Sequence, residues 1–130
     1  FVTNPFPGAP FHNQREMLAA ADRLSKITPA GSHIGAFNAG ILGYYSARRV
    51  TNLDGLINIS AYHALRDRRL KPYLSEASID YVADYEVALQ YRYFPFWGTG
   101  DLSFLQKKES LSSSQSTYHG SQMYLYQIIK

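Results

Sequence analysis

The stretch GAFNAGILGYYSARRVTNLDGLIN, residues 35–58, holds the ends of two short apolar runs, and a turn that contains asparagine follows each run. Residues 33–37 predict a buried strand and residues 49–53 predict a second strand, because both runs are short and bounded by turn-forming residues. Residues 39–46 predict a short helix between them, and this connection is long enough for a parallel crossover. The strand–helix–strand unit predicts an α/β fold.

The residues before this stretch predict one amphipathic helix. Apolar side chains recur at spacings of three and four over residues 14–26, and Pro29 and Gly31 stop the pattern. After the stretch, residues 60–75 predict one or two helices that are broken near Pro72, because proline lacks the N–H that a helix interior uses. Helices therefore flank the predicted strands along the chain.

The C-terminal part of the chain predicts three more strands. Residues 79–85 predict the third strand, and residues 86–92 predict a helical turn. Residues 102–110 and 123–130 alternate in the manner of half-buried strands and predict an antiparallel pair. The whole pattern predicts one α/β sandwich over residues 14–130, with a mixed, mainly parallel sheet of about five strands and a C-terminal antiparallel hairpin.

Length and composition bound the possible functions. The 130 residues suffice for one domain with a core, and residues 1–13 predict a linker. No run approaches the roughly 18 apolar residues that cross a bilayer. The chain has no cysteine, which excludes disulfides and thiolate metal sites, and its formal charge of +3 is scattered, so we predict no nucleic-acid partner.

The four histidines, His12, His33, His63 and His119, lie far apart and match no zinc-ligand spacing. We therefore predict no zinc site, and we predict neither another metal site nor a cofactor for this chain. The eleven tyrosines are more informative, since a ring with one polar end suits sugar sites and membrane interfaces.

The two turns of the opening stretch predict a ligand site, because ligands of open α/β sheets bind beyond the carboxyl ends of the strands. Asn38 and Gly40 follow the first strand, where N–H groups at a helix start can meet an anionic or hydroxylated ligand. Asn52, Asp54 and Asn58 follow the second strand and offer oxygens to a sugar hydroxyl or a hard cation. The structural alternatives are that Asn38 is simply the N-cap of the helix and that the second group simply forms a turn.

Asp84 ends the third predicted strand and is a further candidate ligand residue. It approaches Asp54 if their two strands are neighbours, which would bring two carboxylates together as in an acid/base pair. A small enzyme that uses these two carboxylates is therefore one hypothesis, although nothing in the sequence sets their separation.

The segment YRYFPFW, residues 91–97, is dense in aromatic rings. Tyr93, Phe96 and Trp97 predict an aromatic contact surface, which can act as a sugar platform, a membrane-resting edge or a lid. The alternative is that these rings cover the core, given how much area aromatic side chains bury.

Three segments of the sequence resemble a known class of membrane enzymes. They are NQREMLAAA at residues 13–21, the run from ITPAGSH to NLDGLIN at residues 27–58, and YLSEASIDYVADY at residues 73–85. Together they are similar to the C-terminal extracytoplasmic segment of multi-pass glycosyltransferases of the GT-C class, which use polyprenyl- or dolichyl-phosphate sugars. The paired turns NAGILGYYS and VTNLDGLIN are the most specific part.

The resemblance implies a bacterial domain outside the cytoplasm, attached to a membrane-embedded part of the same polypeptide that precedes it. The catalytic acidic residues of such transferases are expected in that other part. The resemblance therefore implies that this domain does not catalyse a reaction on its own. Its implied role is to help bind a lipid-linked sugar or a glycan acceptor, with Asn38, Asn52, Asp54 and Asn58 as the matching positions. The alternative hypothesis is a free-standing periplasmic or secreted carbohydrate-binding module.

Overall fold

The computed structural model describes residues 10–112 and 122–130. Its helices and strands alternate along the chain before a C-terminal pair of strands. In chain order they are α1 (Pro10–Ile27), β1 (His33–Ala36), α2 (Ala39–Tyr45), β2 (Arg49–Asn52), α3 (Ile59–Arg66), α4 (Leu70–Glu76), β3 (Tyr81–Tyr85), a π-helical turn (Ala88–Arg92), a 3-10 turn (Phe94–Phe96), β4 (Leu105–Ser110) and β5 (Met123–Ile128).

The five strands form one mixed sheet in the order β2-β1-β3-β5-β4. Strand β1 pairs in parallel with β2 on one side and with β3 on the other. Strand β5 is antiparallel to both β3 and β4, and it lies between them. The predicted α/β class, the mixed five-stranded sheet and the C-terminal hairpin are therefore confirmed, with parallel pairing confined to the three N-terminal strands.

Each face of the sheet carries its own hydrophobic core, so the molecule has three layers. Helices α1 and α2 cover one face, and α3, α4 and the aromatic turns cover the other. The first core includes Met17, Ala20, Ala21 and Leu24, which is the apolar stripe predicted for α1, together with Leu42 of α2. The second core includes Leu53, Leu70, Leu74, Leu89 and Trp97. Among the described residues, no helix is both long and apolar enough to cross a membrane.

The break between α3 and α4 lies earlier than the sequence predicted. Helix α3 ends at Arg66, and Arg68 adopts a left-handed conformation with φ of 55°. The Arg69 N–H then donates to the Ala64 carbonyl at 2.7 Å, which closes the helix end. Pro72 lies in the first turn of α4, where its missing N–H costs no intrahelical bond. The prediction of a break near Pro72 is therefore wrong.

Arg48 holds the C-terminal end of α1 against the start of β2. Its Nη2 donates to the carbonyl oxygens of Ser25 and Thr28, each at 2.7 Å, and its Nε donates to the Thr28 hydroxyl at 3.1 Å. A cation at these unpaired helix carbonyls satisfies them and complements the negative end of the helix. Anchoring this end of α1 fixes where its opposite end, with Gln14, meets the sheet.

Candidate functional site

A pocket of about 390 Å³ opens at the carboxyl ends of the parallel strands. The chain leaves β1 toward β2 on one side, and it later returns as β3 on the other side. At such a switch point the two loops diverge and leave a crevice, which is the usual ligand position in open α/β sheets. The lining residues come from α1, from the β1–α2 turn and the start of α2, from the end of β2 with the loop after it, and from the end of β3. They are Gln14, Met17, Phe37, Asn38, Ala39, Gly40, Ile41, Asn52, Asp54 and Tyr85.

Four of the six predicted ligand residues line this pocket: Asn38, Gly40, Asn52 and Asp54. They come from two turns that are more than ten residues apart in sequence, and the parallel pairing of β1 with β2 brings those turns to one edge. No atom lies within 4 Å of a Cβ built on Gly40, so the pocket wall is open at that position.

Asp84, the fifth predicted residue, lies behind the pocket wall and is fully buried. Its Oδ2 accepts the backbone N–H groups of Phe37 at 2.7 Å and of Asn38 at 2.9 Å. Its Oδ1 accepts the Asn38 side-chain amide at 2.7 Å and the Tyr85 N–H at 2.8 Å. Four donors occupy the acceptor positions of the carboxylate, so Asp84 shapes the pocket without reaching a ligand.

Burial raises the pKa of the Asp84 carboxyl above its ordinary value, because the charged form loses hydration. The hydrogen bonds from Asn38, Tyr85 and Phe37 oppose that rise. Both oxygens accept two N–H groups each, and a protonated carboxyl would direct a hydrogen at one of those donors. The hydrogen-bond geometry therefore suits a carboxylate that links the end of β3 to the β1–α2 turn.

The side chain of Asn38 does not cap α2 as the structural alternative expected. Asn38 occupies the N-cap position, but its side chain makes no capping hydrogen bond and donates instead to Asp84. Its backbone N–H also donates to Asp84 and is not offered to a ligand. The side-chain capping alternative is therefore wrong, since a buried carboxylate on β3 competes successfully for the amide.

The β2–α3 loop is held by hydrogen bonds between its own polar residues. The Asp54 N–H donates to Asn52 Oδ1 at 3.0 Å, and the Leu56 N–H donates to Asp54 Oδ1 at 2.9 Å. These are the turn-forming bonds of the structural alternative. Within the described part of the chain, Asp54 Oδ2 and Asn52 Nδ2 make no hydrogen bond, so both turn residues also have an atom available at the pocket.

Asn58, the sixth predicted residue, supports the loop from outside the pocket. Its Oδ1 accepts the Ala61 N–H at 3.2 Å as the N-cap of α3. Its Nδ2 donates to the Asn52 carbonyl at 2.9 Å and to the Tyr73 hydroxyl at 3.0 Å. Asn58 therefore sets the path of the loop and does not itself line the cavity.

The hypothetical pair of Asp54 and Asp84 is not formed. Asp54 follows β2 and Asp84 lies near the end of β3, and β1 separates these two strands in the sheet. Asp84 is moreover fully buried. The small-enzyme hypothesis loses its acid/base pair for these two reasons.

The aromatic segment mainly covers the core. Trp97 is fully buried, and its Nε1 donates to the Leu89 carbonyl at 3.2 Å. Phe96 is half-buried against the second core. Tyr93 stacks on Phe37 with ring centroids 3.8 Å apart and planes 6° from parallel. The structure thus places Trp97 in the core. The rings on the pocket wall are Phe37, which Tyr93 supports, and Tyr85.

The candidate residues predicted from the sequence omit six that line the pocket: Gln14, Met17, Phe37, Ala39, Ile41 and Tyr85. Phe37 and Tyr85 directly adjoin the predicted residues Asn38 and Asp84, so position at the end of a strand was a usable signal. Gln14 and Met17 come from α1 and reach the pocket through helix packing. The sequence carries no local signal for that contact.

A wider depression of about 750 Å³ lies at the opposite edge of the sheet, near the amino ends of β1 and β3. The Asp80 side chain there accepts the His33 backbone N–H at 2.9 Å, which joins the starts of those two strands. Among the described residues, no group of three or more His, Asp or Glu side chains can hold a metal ion at either edge.

The fold and the pocket define a small three-layer α/β domain with a ligand-sized crevice at the switch point of its sheet. Residues 9–126 match the family described as "Domain of unknown function (DUF8728)". This match covers most of the chain, so the protein belongs to that family. No curated protein and no solved structure matches the chain.

Proposed function

We propose that this chain is the extracytoplasmic domain of a membrane glycosyltransferase of the GT-C class. In this role it helps to bind a glycan acceptor or a lipid-linked sugar for the membrane-embedded part of the same polypeptide. The observation that carries the proposal is the switch-point pocket, where Asn38, Gly40, Asn52 and Asp54 meet. Asn38, Asn52 and Asp54 are three of the positions that the resemblance to the outer domain of those transferases implies for ligand binding.

The chemistry of the pocket favours a neutral, hydroxyl-rich ligand. Its polar side chains are the amides of Gln14, Asn38 and Asn52 and the carboxylate of Asp54, and its lining residues include no Lys or Arg among those described. Amides donate to and accept from sugar hydroxyls, and a carboxylate accepts from them, whereas a phosphate would meet the Asp54 charge without a cation. Phe37 and Tyr85, both largely buried, give the pocket wall an apolar part beside these polar groups.

The same residues favour binding over catalysis. Asp54 is the one carboxylate on the described pocket wall, and its Oδ1 already accepts the Leu56 N–H. Asp84 is enclosed by protein donors and does not reach the cavity. A displacement at a sugar carbon needs a base beside the acceptor hydroxyl, and we assign that base to the membrane-embedded part.

Titration of the isotope-labelled chain with a panel of neutral oligosaccharides, followed by amide NMR, tests the binding step. We expect shifts at the backbone amides of Asn38, Asn52 and Asp54. Asp54→Asn keeps an oxygen for the Leu56 N–H but removes the charged acceptor, so we expect about tenfold weaker binding. Asp22→Asn, an exposed change on α1, is the matched control and should bind as the parent does. A panel without any shift at these amides contradicts sugar binding.

The gene sequence upstream of this chain separates the proposal from its alternative. A membrane transferase requires several apolar segments of about 20 residues before Phe1. A free-standing carbohydrate-binding module instead requires a signal peptide directly upstream and sugar binding by the isolated chain. If neither kind of segment precedes the domain, both assignments are wrong.

A further inference from the structure

An apolar tip projects from the carboxyl edge of the sheet, next to the pocket. It consists of Leu56 and Ile57 in the β2–α3 loop, and of Ile59 and Tyr62 on the outer face of α3. The side chains of Leu56 and Ile57 are 86% and 88% exposed, and those of Ile59 and Tyr62 are also exposed. Neighbouring apolar side chains that remain this open usually mark a contact surface.

The local structure around this tip keeps its side chains exposed. Helix α3 already buries Ala61 and Ala64 on its inner face, so its outer face needs no apolar residue to hold it on the sheet. The preceding loop is fixed by the bond from the Leu56 N–H to Asp54 and by the Asn58 cap. The tip is therefore displayed by an ordered loop, with no protein surface above it among the described residues.

We propose that the apolar tip inserts into the interfacial layer of an anionic lipid membrane. The shape favours lipid, because two adjacent side chains that project almost completely require a deep recess in a protein partner but none in a bilayer. Tyr62, one turn along α3, has the apolar ring and polar end that suit the membrane interface.

The charge around the tip supports an anionic surface. Between Asn52 and Glu76 the basic side chains are Arg66, Arg68, Arg69 and Lys71, all exposed, whereas the acidic ones are Asp54, Asp67 and Glu76. Arg66 pairs with Asp67 and Arg69 with Glu76, so the excess is one positive charge. Arg66 lies seven residues beyond Ile59 in the helix, which is about 10 Å along its axis and comparable with the Debye length in physiological salt. Insertion of the tip would thus hold these cations close to lipid phosphates.

This inference rests on the exposed tip and its charge, and it stands whether or not the pocket binds sugar. Because Asp54 and Leu56 belong to one loop, docking of the tip would also place the pocket mouth close to the lipid headgroups. A sugar attached to a membrane lipid could then enter the pocket without leaving the membrane surface.

Flotation of the chain with vesicles tests the proposal without any sugar present. We expect binding to vesicles of equal parts phosphatidylglycerol and phosphatidylcholine, and weaker binding to phosphatidylcholine alone or in high salt. The double variant Leu56→Ser/Ile57→Ser should bind at least about tenfold more weakly, because it removes both inserting side chains. Ile129→Ser, an exposed isoleucine change at the opposite edge of the sheet, should bind as the parent does.

A fluorescent residue at the tip tests its depth directly. Ile57→Trp should be quenched by lipids with brominated acyl chains, whereas the parent, whose Trp97 is buried in the core, should not. Lack of parent binding to anionic vesicles, or equal binding by the double variant, overturns the proposal and favours a protein partner for the tip. Vesicle binding without sugar binding would uphold this inference while contradicting the proposed function.

Discussion

At the residue scale, Asp84 connects two parts of the fold that the chain separates by 46 residues. Its carboxylate accepts two N–H groups and one side-chain amide from the β1–α2 turn, and one N–H from its own strand. Each buried donor that loses its acceptor costs about 1–3 kcal/mol. The pocket wall at Phe37 and Asn38 therefore depends on this one side chain.

We expect Asp84→Asn to lower the free energy of unfolding by about 3 kcal/mol. The asparagine side chain has one oxygen, so its NH₂ group would face N–H donors that now meet a carboxylate oxygen. Urea unfolding of the variant beside Asp22→Asn measures the difference, and the exposed Asp22 change should cost less than about 0.5 kcal/mol. Equal stability of the two variants would contradict the structural role of Asp84.

His33 is a second buried polar residue whose partners lie far away in the sequence. Its Nδ1 lies 3.1 Å from the Ser78 carbonyl, which can only accept, so the hydrogen is on Nδ1. Its Nε2 then accepts the Thr51 hydroxyl at 2.5 Å. Burial lowers the pKa of His33 below its ordinary value, and the nearby Arg49 lowers it further.

The lowered pKa of His33 predicts a loss of stability in mild acid. Below a pH of about 6.5 the unfolded chain takes up a proton that the folded chain resists, so the free energy of unfolding falls as the pH drops toward the folded-state pKa. The slope due to one such group is at most about 1.4 kcal/mol per pH unit. In urea unfolding at several pH values, His33→Gln should show a shallower decline than the parent. Parallel declines would show that His33 does not contribute.

At the element scale, three helices end on a residue that is not glycine in a left-handed conformation. Ala47, Arg68 and Ser78 have φ of 56°, 55° and 56°. This conformation is strained for residues with a Cβ, by about 1–2 kcal/mol, and glycine is the usual residue there. Hydrogen bonds and packing therefore hold these helix ends in a conformation that the three residues do not prefer.

We expect Ala47→Gly and Ser78→Gly each to raise the free energy of unfolding by about 0.5–1 kcal/mol. The relief of backbone strain exceeds the extra chain entropy of glycine at these two positions. Ala19→Gly, the same kind of change at an exposed site inside α1, should instead lower stability by about 1 kcal/mol. Thermal and urea unfolding measure these opposite changes in stability. Destabilisation by all three substitutions would contradict the backbone strain at Ala47 and Ser78.

The elements themselves were largely predictable, whereas their boundaries and neighbours were not. The stripe in α1 follows from local spacing, and α1 buries that stripe. The helix break at residues 67–69 depends on a left-handed Arg68 that no sequence signal marks. The insertion of β5 between β3 and β4 depends on pairing over a long chain separation. Local patterns do not encode such pairing.

At the scale of the whole molecule, the sheet has two edges, β2 and β4, that other chains could pair with. Strand β4 carries Lys107, Lys108 and Glu109 with exposed side chains, and its pairing with β5 shifts register between Lys107 and Glu109. Charges and a bulge at an edge discourage pairing with another sheet. This edge therefore protects the domain from self-association.

We expect Lys108→Val to promote self-association, with light scattering rising at about tenfold lower protein concentration than for the parent. Valine removes the charge at the bulge and favours an extended, apolar edge. Lys26→Val, the same change on the exposed face of α1, is the control and should not scatter more than the parent. Equal scattering by both variants would show that the edge is not the site of association.

The sequence by itself determined the α/β class, the amphipathic faces and the two polar turns of residues 35–58, because spacing and turn chemistry act over a few residues. The tertiary structure alone decided that Asn38, Gly40, Asn52 and Asp54 line one pocket. It also decided that Asp84 is enclosed behind them and that Trp97 lies in the core. These outcomes depend on strand order and burial, which arise from contacts between residues far apart in the chain.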